Sequence, residues 1–324
     1  MAKALIGVLM TAAFLTLSPR AQAQEETWPS RPITMVIPFS TGGSVDAVLR
    51  VLKPMLEAEL KQPIIPDYRP GGATALGAAT VARARPDGYT FGIVVDALAV
   101  NATLYRNLPY DTQTDLMPVS LLGKMPLVMI VHPAAPFNDL AAIVAAARAR
   151  SGALTYASVG VGSINHLAME LLNRQSGVTM THVPYRGGGP AVTDLLGRHV
   201  DMMLMSLALA RAQLDAGTLK AVAVTSASRI AALPNLPTAN ESGMPGFTAF
   251  SWQGVVAPPG TPVTVVGRFQ QILRKVAGEP RIREGLENLG MQAEVSSPSE
   301  FGQFLREQIN TWGNLIREAD IKPE

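Results

Sequence analysis

Two stretches of this chain share one grammar, and together they restrict the fold more than any other feature. Ile33 to Ile37 is a short apolar, β-branched run, and Val45 to Leu56 carries apolar residues at helical spacing. The joining loop, Ser40-Thr41-Gly42-Gly43-Ser44, has little side chain to cover its backbone and sits where the first unpaired N–H groups of a helix point outward. The partial positive charge of a helix start contributes about 0.3–1 kcal/mol to a bound anion, and up to about 2 when partly buried. Each hydrogen bond to a charged group adds roughly 1.5–3 kcal/mol. Three or four such donors can hold a carboxylate with no Arg or Lys. The second stretch repeats the plan: Leu154 to Ser158 as strand, Gly160 to Asn165 as a small-residue turn, His166 to Asn173 as the start of an amphipathic helix. Two anion-ready helix starts so far apart predict two similar lobes facing one ligand.

The amino terminus predicts export. Lys3, the apolar run Ala4 to Leu17 and the small-residue site Ala21-Gln22-Ala23 have the order of a secretory signal peptide, residues 1–23, with a mature chain beginning near Gln24. The apolar run is shorter than the ~20 residues of a spanning helix. Lys3 and Arg20 account for the whole formal charge of +2, so the expected mature chain is neutral and offers no broad basic face to nucleic acid or anionic lipid. The chain has no cysteine, which excludes disulfides, thiolate nucleophiles and thiolate metal sites. Its length suffices for a sizeable core and suits two domains.

Taken in order, Val45 to Leu60 reads as helix, Pro63 to Pro66 as a short strand, Leu76 to Ala84 as a small-residue helix and Tyr89 to Val95 as an apolar strand. This β-α-β-α-β run argues for a parallel sheet. Asn101 to Pro118 reads as a loop-rich passage, and Leu127 to Val131 as a strand in a new context. Leu140 to Arg150, the helix from His166 and Ala191 to Leu196 are expected helices; Thr155 to Ser158, Met180 to Val183, Val200 to Leu204 and Leu219 to Thr225 are expected strands. Ser251 to Ala257 then returns to the first lobe, followed by helices at Val263 to Val276, Ile282 to Leu289 and Pro298 to Ala319. The lobes are expected to comprise residues 24–124 with 250–324, and residues 125–249, with hinge crossings near Gly123 to Pro126 and near Phe250.

The segments WPSRPITMVIPFSTGGSVD, RPGGATALGAATVARARPDGYT, LTYASVGVGSINHLAMELL, HVPYRGGGPAVTDLLGRHVD and SWQGVVAPPGTP, in this order, resemble the extracytoplasmic receptors of tripartite tricarboxylate transporters, the Bug family. The resemblance spans essentially the whole mature chain. It implies an α/β two-lobed periplasmic binding fold of type II, each lobe a mixed, mainly parallel sheet flanked by helices, closing around a small organic acid. It implies ligand contacts from Phe39, Ser40, Thr41, Gly42, Gly43, Ser44 and Asp46 in the first lobe. From the second lobe it implies Ser158, Gly160, Gly162, Ser163, His166, Tyr185, Arg186, Gly187 and, less typical of the family, Ser206. Ser40-Thr41, Leu98 and Met205-Ser206 depart from the family's common residues, which points to a ligand with less positive charge and more apolar surface.

Other chemistries fit poorly. Ser163 with His166 lacks the G-x-S-x-G elbow and an acidic partner. Gly160-x-Gly162 has Asn165 where a dinucleotide fingerprint needs its third glycine. His132, His166, His182 and His199 lack metal-ligand spacing. Asp46 suits either helix capping or ligand contact. The expected protein is therefore a monomeric periplasmic receptor, without cofactor, metal or catalytic residue, that delivers a small organic acid to membrane permease subunits. A sensory binding protein that presents its ligand to a membrane sensor, or more remotely an exported enzyme, are the alternatives. A bulky side chain at Gly43 is expected to abolish binding.

Overall fold

The structure, a computed structural model, describes residues 28–323; the signal-peptide and cleavage-site expectations fall outside the described residues. The first half of the fold opens with β1 (Ile33–Ile37), α1 (Ser44–Leu60), β2 (Ile64–Tyr68), α2 (Ala75–Ala82), β3 (Thr90–Val95) and α3 (Ala97–Leu104). A long β4 (Met117–Val131) leads to α4 (Leu140–Ala149), β5 (Thr155–Ser158), α5 (Ile164–Ser176), β6 (Thr181–Pro184), α6 (Gly188–Leu196), β7 (Met202–Ser206), α7 (Leu207–Asp215) and β8 (Lys220–Val224). The chain closes with β9 (Phe250–Ala257), α8 (Val263–Gly278), α9 (Pro280–Asn288), β10 (Gln292–Ala293) and α10 (Pro298–Glu318).

The strands lie in the order β2-β1-β3-β9-β4-β7-β5-β6, with β8 and β10 also pairing β4. The β2-β1-β3 and β6-β5-β7 triplets are parallel, as the β-α-β reading requires. The two strands between them run antiparallel to their neighbours. β4 ties the halves together: Met117 to Pro126 pair with β9, and Leu127 to Val131 pair with β7 and β8.

The sequence reading identifies only the last five residues of β4. Its earlier part carries Pro118, Gly123 and Pro126, residues that ordinarily argue against a strand. The register of β4 against β9 shifts between Pro118 and Ser120 and again between Leu121 and Gly123, so bulges absorb what the pleat cannot. Two helices also go unread. α3 is short and almost uniformly apolar, so it shows no amphipathic period, and α7 follows β7 without an intervening turn signal.

Helices cover both faces of the sheet. α1 buries Val45, Val48, Leu49, Leu52, Leu56 and Leu60, which recur about once per helical turn, against β1 and β3, where Phe91 stacks on Phe269 of α8 at 4.2 Å. α10 begins with a capping box, Ser297 with Glu300, and buries Phe301, Leu305, Ile309, Trp312 and Ile316 along one stripe. Each such side chain contributes about 1.5–3 kcal/mol when fully buried. That stripe packs on α3, β4 and α5, so one helix braces both halves of the sheet.

Candidate functional site

A cavity of about 360 Å³ opens between the two halves. Four helices begin on its wall: α1 at Ser44, α2 next to Thr74, α3 at Asp96-Ala97 and α5 at Ser163-Ile164. Among the described residues that line it there is no Lys, Arg or His. An anion held here would therefore rely on backbone N–H groups and helix dipoles, the arrangement that holds anions at helix starts.

Phe39 and Ser44 line the cavity from the β1–α1 loop, and no side chain caps α1. The loop is fixed from beneath by Asp46. Its Oδ2 accepts the Gly42 amide at 2.8 Å and Arg50 Nη2 at 2.6 Å, and its Oδ1 accepts Tyr68 Oη at 2.7 Å. The Tyr68 hydroxyl, then the Gly42 amide, hold the Asp46 carboxyl below the usual carboxylate range. Asp46 is buried and absent from the cavity wall, and it uses up the Gly42 amide that the sequence reading offers to the ligand. Ser40, Thr41 and Gly43 complete the loop without lining the cavity.

On the opposite wall Gly160, Gly162 and Ser163 line the cavity, and the turn is tied to itself. Ser158 Oγ donates to the Gly160 carbonyl at 3.0 Å and meets His182 Nε2 at 2.7 Å. Ser163 Oγ donates to the Gly160 carbonyl at 2.7 Å and receives the His166 amide as the cap of α5. His166 Nδ1 accepts the Gly162 amide at 3.1 Å. Ser158 and His166 lie outside the lining set, with Ser158 Oγ and His166 Nδ1 bonded to the backbone of the turn. His166 and His182 stack at 3.8 Å and 8°, with Tyr156 5.0 Å from His182. Burial, then the neighbouring His182, pushes His166 down to about 3, and burial pushes His182 down to about 4. Both imidazoles are neutral at ordinary pH.

Tyr185 donates to Asp194 Oδ2 at 2.6 Å; Arg186 is exposed; Gly187 precedes α6 and Ser206 precedes α7. None of the four lines the cavity. Trp252 is fully buried between Phe301 and Phe304, whereas Phe39 stays 38 % exposed.

Several lining residues escape the sequence reading. Ala73 and Thr74 adopt left-handed backbone, at φ 49° and 76°, just before α2. A β-branched residue there is an outlier, and such strain gathers at functional sites. Asn101 of α3 holds the turn by donating Nδ2 to the Ala73 carbonyl at 2.7 Å. The signal was present: Arg69-Pro70-Gly71-Gly72 between β2 and α2 is a third strand, small-residue loop and helix. Asp96, Ser251 and Gln253 are also on the wall; their signals are an acid ending the apolar β3 and a Gln inside β9.

The sequence profile of the tripartite tricarboxylate transporter family receptors matches residues 48–321. The chain belongs to that receptor family. It is similar to a protein encoded between tcbD and tcbE in Pseudomonas sp. strain P51, with 38% identity covering 94% of this chain and 91% of that one. Among solved structures, the periplasmic binding protein BugD has a TM-score of 0.76 at 31% identity, over 92% of this chain and all of that one. An R. palustris protein solved with adipate has a TM-score of 0.80 at 32% identity, over 92% of this chain and all of the other. The receptor's fold is accordingly the two-lobed α/β fold of periplasmic binding proteins.

Proposed function

We propose that this receptor captures a small organic carboxylate in the cavity between its lobes and presents it to the membrane subunits of a tripartite transporter. The observation that carries the reading is the cavity itself: four helix starts, with no cationic side chain among the described lining residues, around a volume suited to a small metabolite. Phe39 and Ser44 contact the ligand from one side, and Gly160, Gly162 and Ser163 from the other. Thr74 and Asn101 join the first group. Asp46, Ser158 and His166 act by holding the loops in shape.

The lobes comprise residues 24–124 with 250–324, and residues 125–249. Bending where β4 changes partners, near Pro126, closes them over the ligand, and the closed form is what the permease reads. The protein works in the periplasm after removal of residues 1–23, as a monomer that binds without turnover. The motif order behind the leader and the periplasmic relative support that location.

Isothermal titration of ligand-stripped protein with aliphatic and aromatic carboxylates tests the reading. Micromolar binding of at least one acid is expected, about −8 kcal/mol, with no binding of the matching uncharged amides. Failure of every acid to bind would overturn it.

A further inference from the structure

One wall of the cavity is built differently from the helix starts that face it. Val95 at the end of β3 pairs in register with Gln253 of β9, which brings Asp96, Ser251 and Gln253 together on the cavity surface. Gln253 is fully buried, and neither its Nε2 nor its Oε1 has a hydrogen-bond partner among the described residues. Buried polar atoms are paired as a rule, so a side-chain amide with both ends unpaired in the wall of a cavity is a candidate recognition element, reached once the wall opens around a ligand. Ser251 Oγ donates to Asp96 Oδ2, which commits the serine proton and leaves its oxygen as an acceptor. The Asp96 carboxyl also receives the backbone amides of Trp252 and Ala97, so it offers the ligand its charge more than a free lone pair.

The wall is therefore rich in acceptors: the Asp96 carboxyl, Ser251 Oγ and Gln253 Oε1, with the Gln253 NH2 as its side-chain donor. A second carboxylate placed here would bring only acceptors, beside an acid and with no cation on the wall to compensate. A hydroxyl or a primary amide brings a proton for Gln253 Oε1 and an acceptor for Gln253 Nε2. An ammonium group would be drawn to Asp96 but would lie in a cavity entered by four positive helix ends. Burial raises the Asp96 pKa, which further weakens its pull on a cation.

We propose that Asp96, Ser251 and Gln253 select the far end of the ligand, taking a neutral hydroxyl or amide and disfavouring a second carboxylate. The natural ligand class is then a monocarboxylate with a polar, uncharged distal group, unlike the adipate bound by the R. palustris relative. The inference rests on the proposal that the first carboxylate sits at the helix starts.

The test titrates the ligand-stripped protein with two matched series: hexanoate, 6-hydroxyhexanoate, adipate and 6-aminohexanoate, and the corresponding para-substituted benzoates. In the better-bound series the hydroxy acid should bind at least tenfold more tightly than the diacid, and more tightly than the plain and amino acids. Asp96→Asn should narrow the gap between hydroxy acid and diacid to about threefold or less. Gln253→Leu should weaken the hydroxy acid about tenfold more than it weakens the plain acid. A diacid or amino acid that equals or exceeds the hydroxy acid in the unmodified protein overturns the inference, whether or not the variants fold. Plain acids that bind as well as the hydroxy acids overturn it alone. No binding by any acid overturns the carboxylate reading and this inference with it.

Discussion

The Asp46 carboxylate accepts the Gly42 amide at 2.8 Å, so the residue that shapes the first anion-binding loop also withdraws one donor from it. Gly42 has φ +87°, whereas Gly43 has φ −77°, and a Cβ added at Gly43 would meet only the Ser40 carbonyl, at 3.8 Å. Gly42→Ala is therefore expected to destabilise the protein by about 1–2 kcal/mol, the cost of left-handed backbone for an L side chain, and to weaken binding. Gly43→Ala is expected to fold and bind like the parent, which reverses the expectation from sequence. Asp46→Ala, which removes hydrogen bonds to a charged group, should cost about 2 kcal/mol. Urea unfolding and titration with the best-bound acid check all three.

Gly162 touches Leu104 of α3, and a Cβ at Gly162 would overlap the Leu104 side chain. Gly162→Ala meets both that overlap, typically about 1–3 kcal/mol, and an unfavourable φ of +76°. Adding Leu104→Ala should recover the overlap part, so the double variant should lie about 1–3 kcal/mol above the sum of the single changes. Strict additivity in unfolding free energies would show that the contact is not made in solution.

The strained turn before α2 separates stability from binding. Thr74→Gly relieves left-handed backbone at a β-branched residue, about 1–2 kcal/mol, against an entropic loss of roughly 0.5–1. The variant should melt slightly higher yet bind more weakly, because a hydroxyl leaves the cavity wall. Asn101→Ala releases the Ala73 carbonyl and should lower both, with about tenfold weaker binding. Thermal melts paired with titrations distinguish the two patterns.

The stacked pair His166 and His182 sets an acid limit. Both are neutral in the fold, at about 3 and about 4, while an unfolded histidine titrates near 6.5. Between these values the unfolded chain binds more protons, so stability falls as pH drops below about 6.5 and continues to fall toward 4. The slope approaches about 1.4 kcal/mol per pH unit for each histidine. Protonation of His166 Nδ1 would expel the Gly162 amide only near pH 3, so the affinity of the folded protein should hold down to about pH 4 while stability falls. Chemical unfolding across pH 4–7 should show this slope, and His166→Gln should reduce it to about half, the share of His182 remaining.

Much of this was legible in the chain. The β-branched run before Gly42-Gly43 and the Leu154 to Ser158 strand before Gly160 place two helix starts, and the cavity does lie between Ser44 and Gly162. Period and turn residues are local signals, so they locate loops. They do not say which amide in a loop is already bonded, and Gly42 lost its freedom to an acid four residues on. Nor do they show which polar residue of an apolar strand faces a cavity. Gln253 and Asp96 become site residues only through the pairing of β3 with β9, a contact between segments far apart in the chain. The same holds for β4, whose prolines look like breakers until the bulges opposite β9 are known.

The most direct test of the account is a crystal structure of the protein with its tightest-binding acid. The account predicts carboxylate oxygens within about 3.2 Å of main-chain amides where α1 begins, with Ser44 and the Gly160 to Ser163 turn on opposite sides and no Lys, Arg or His side chain in reach. A carboxylate paired instead with a cationic side chain such as Arg186, or bound outside the cavity, would contradict it.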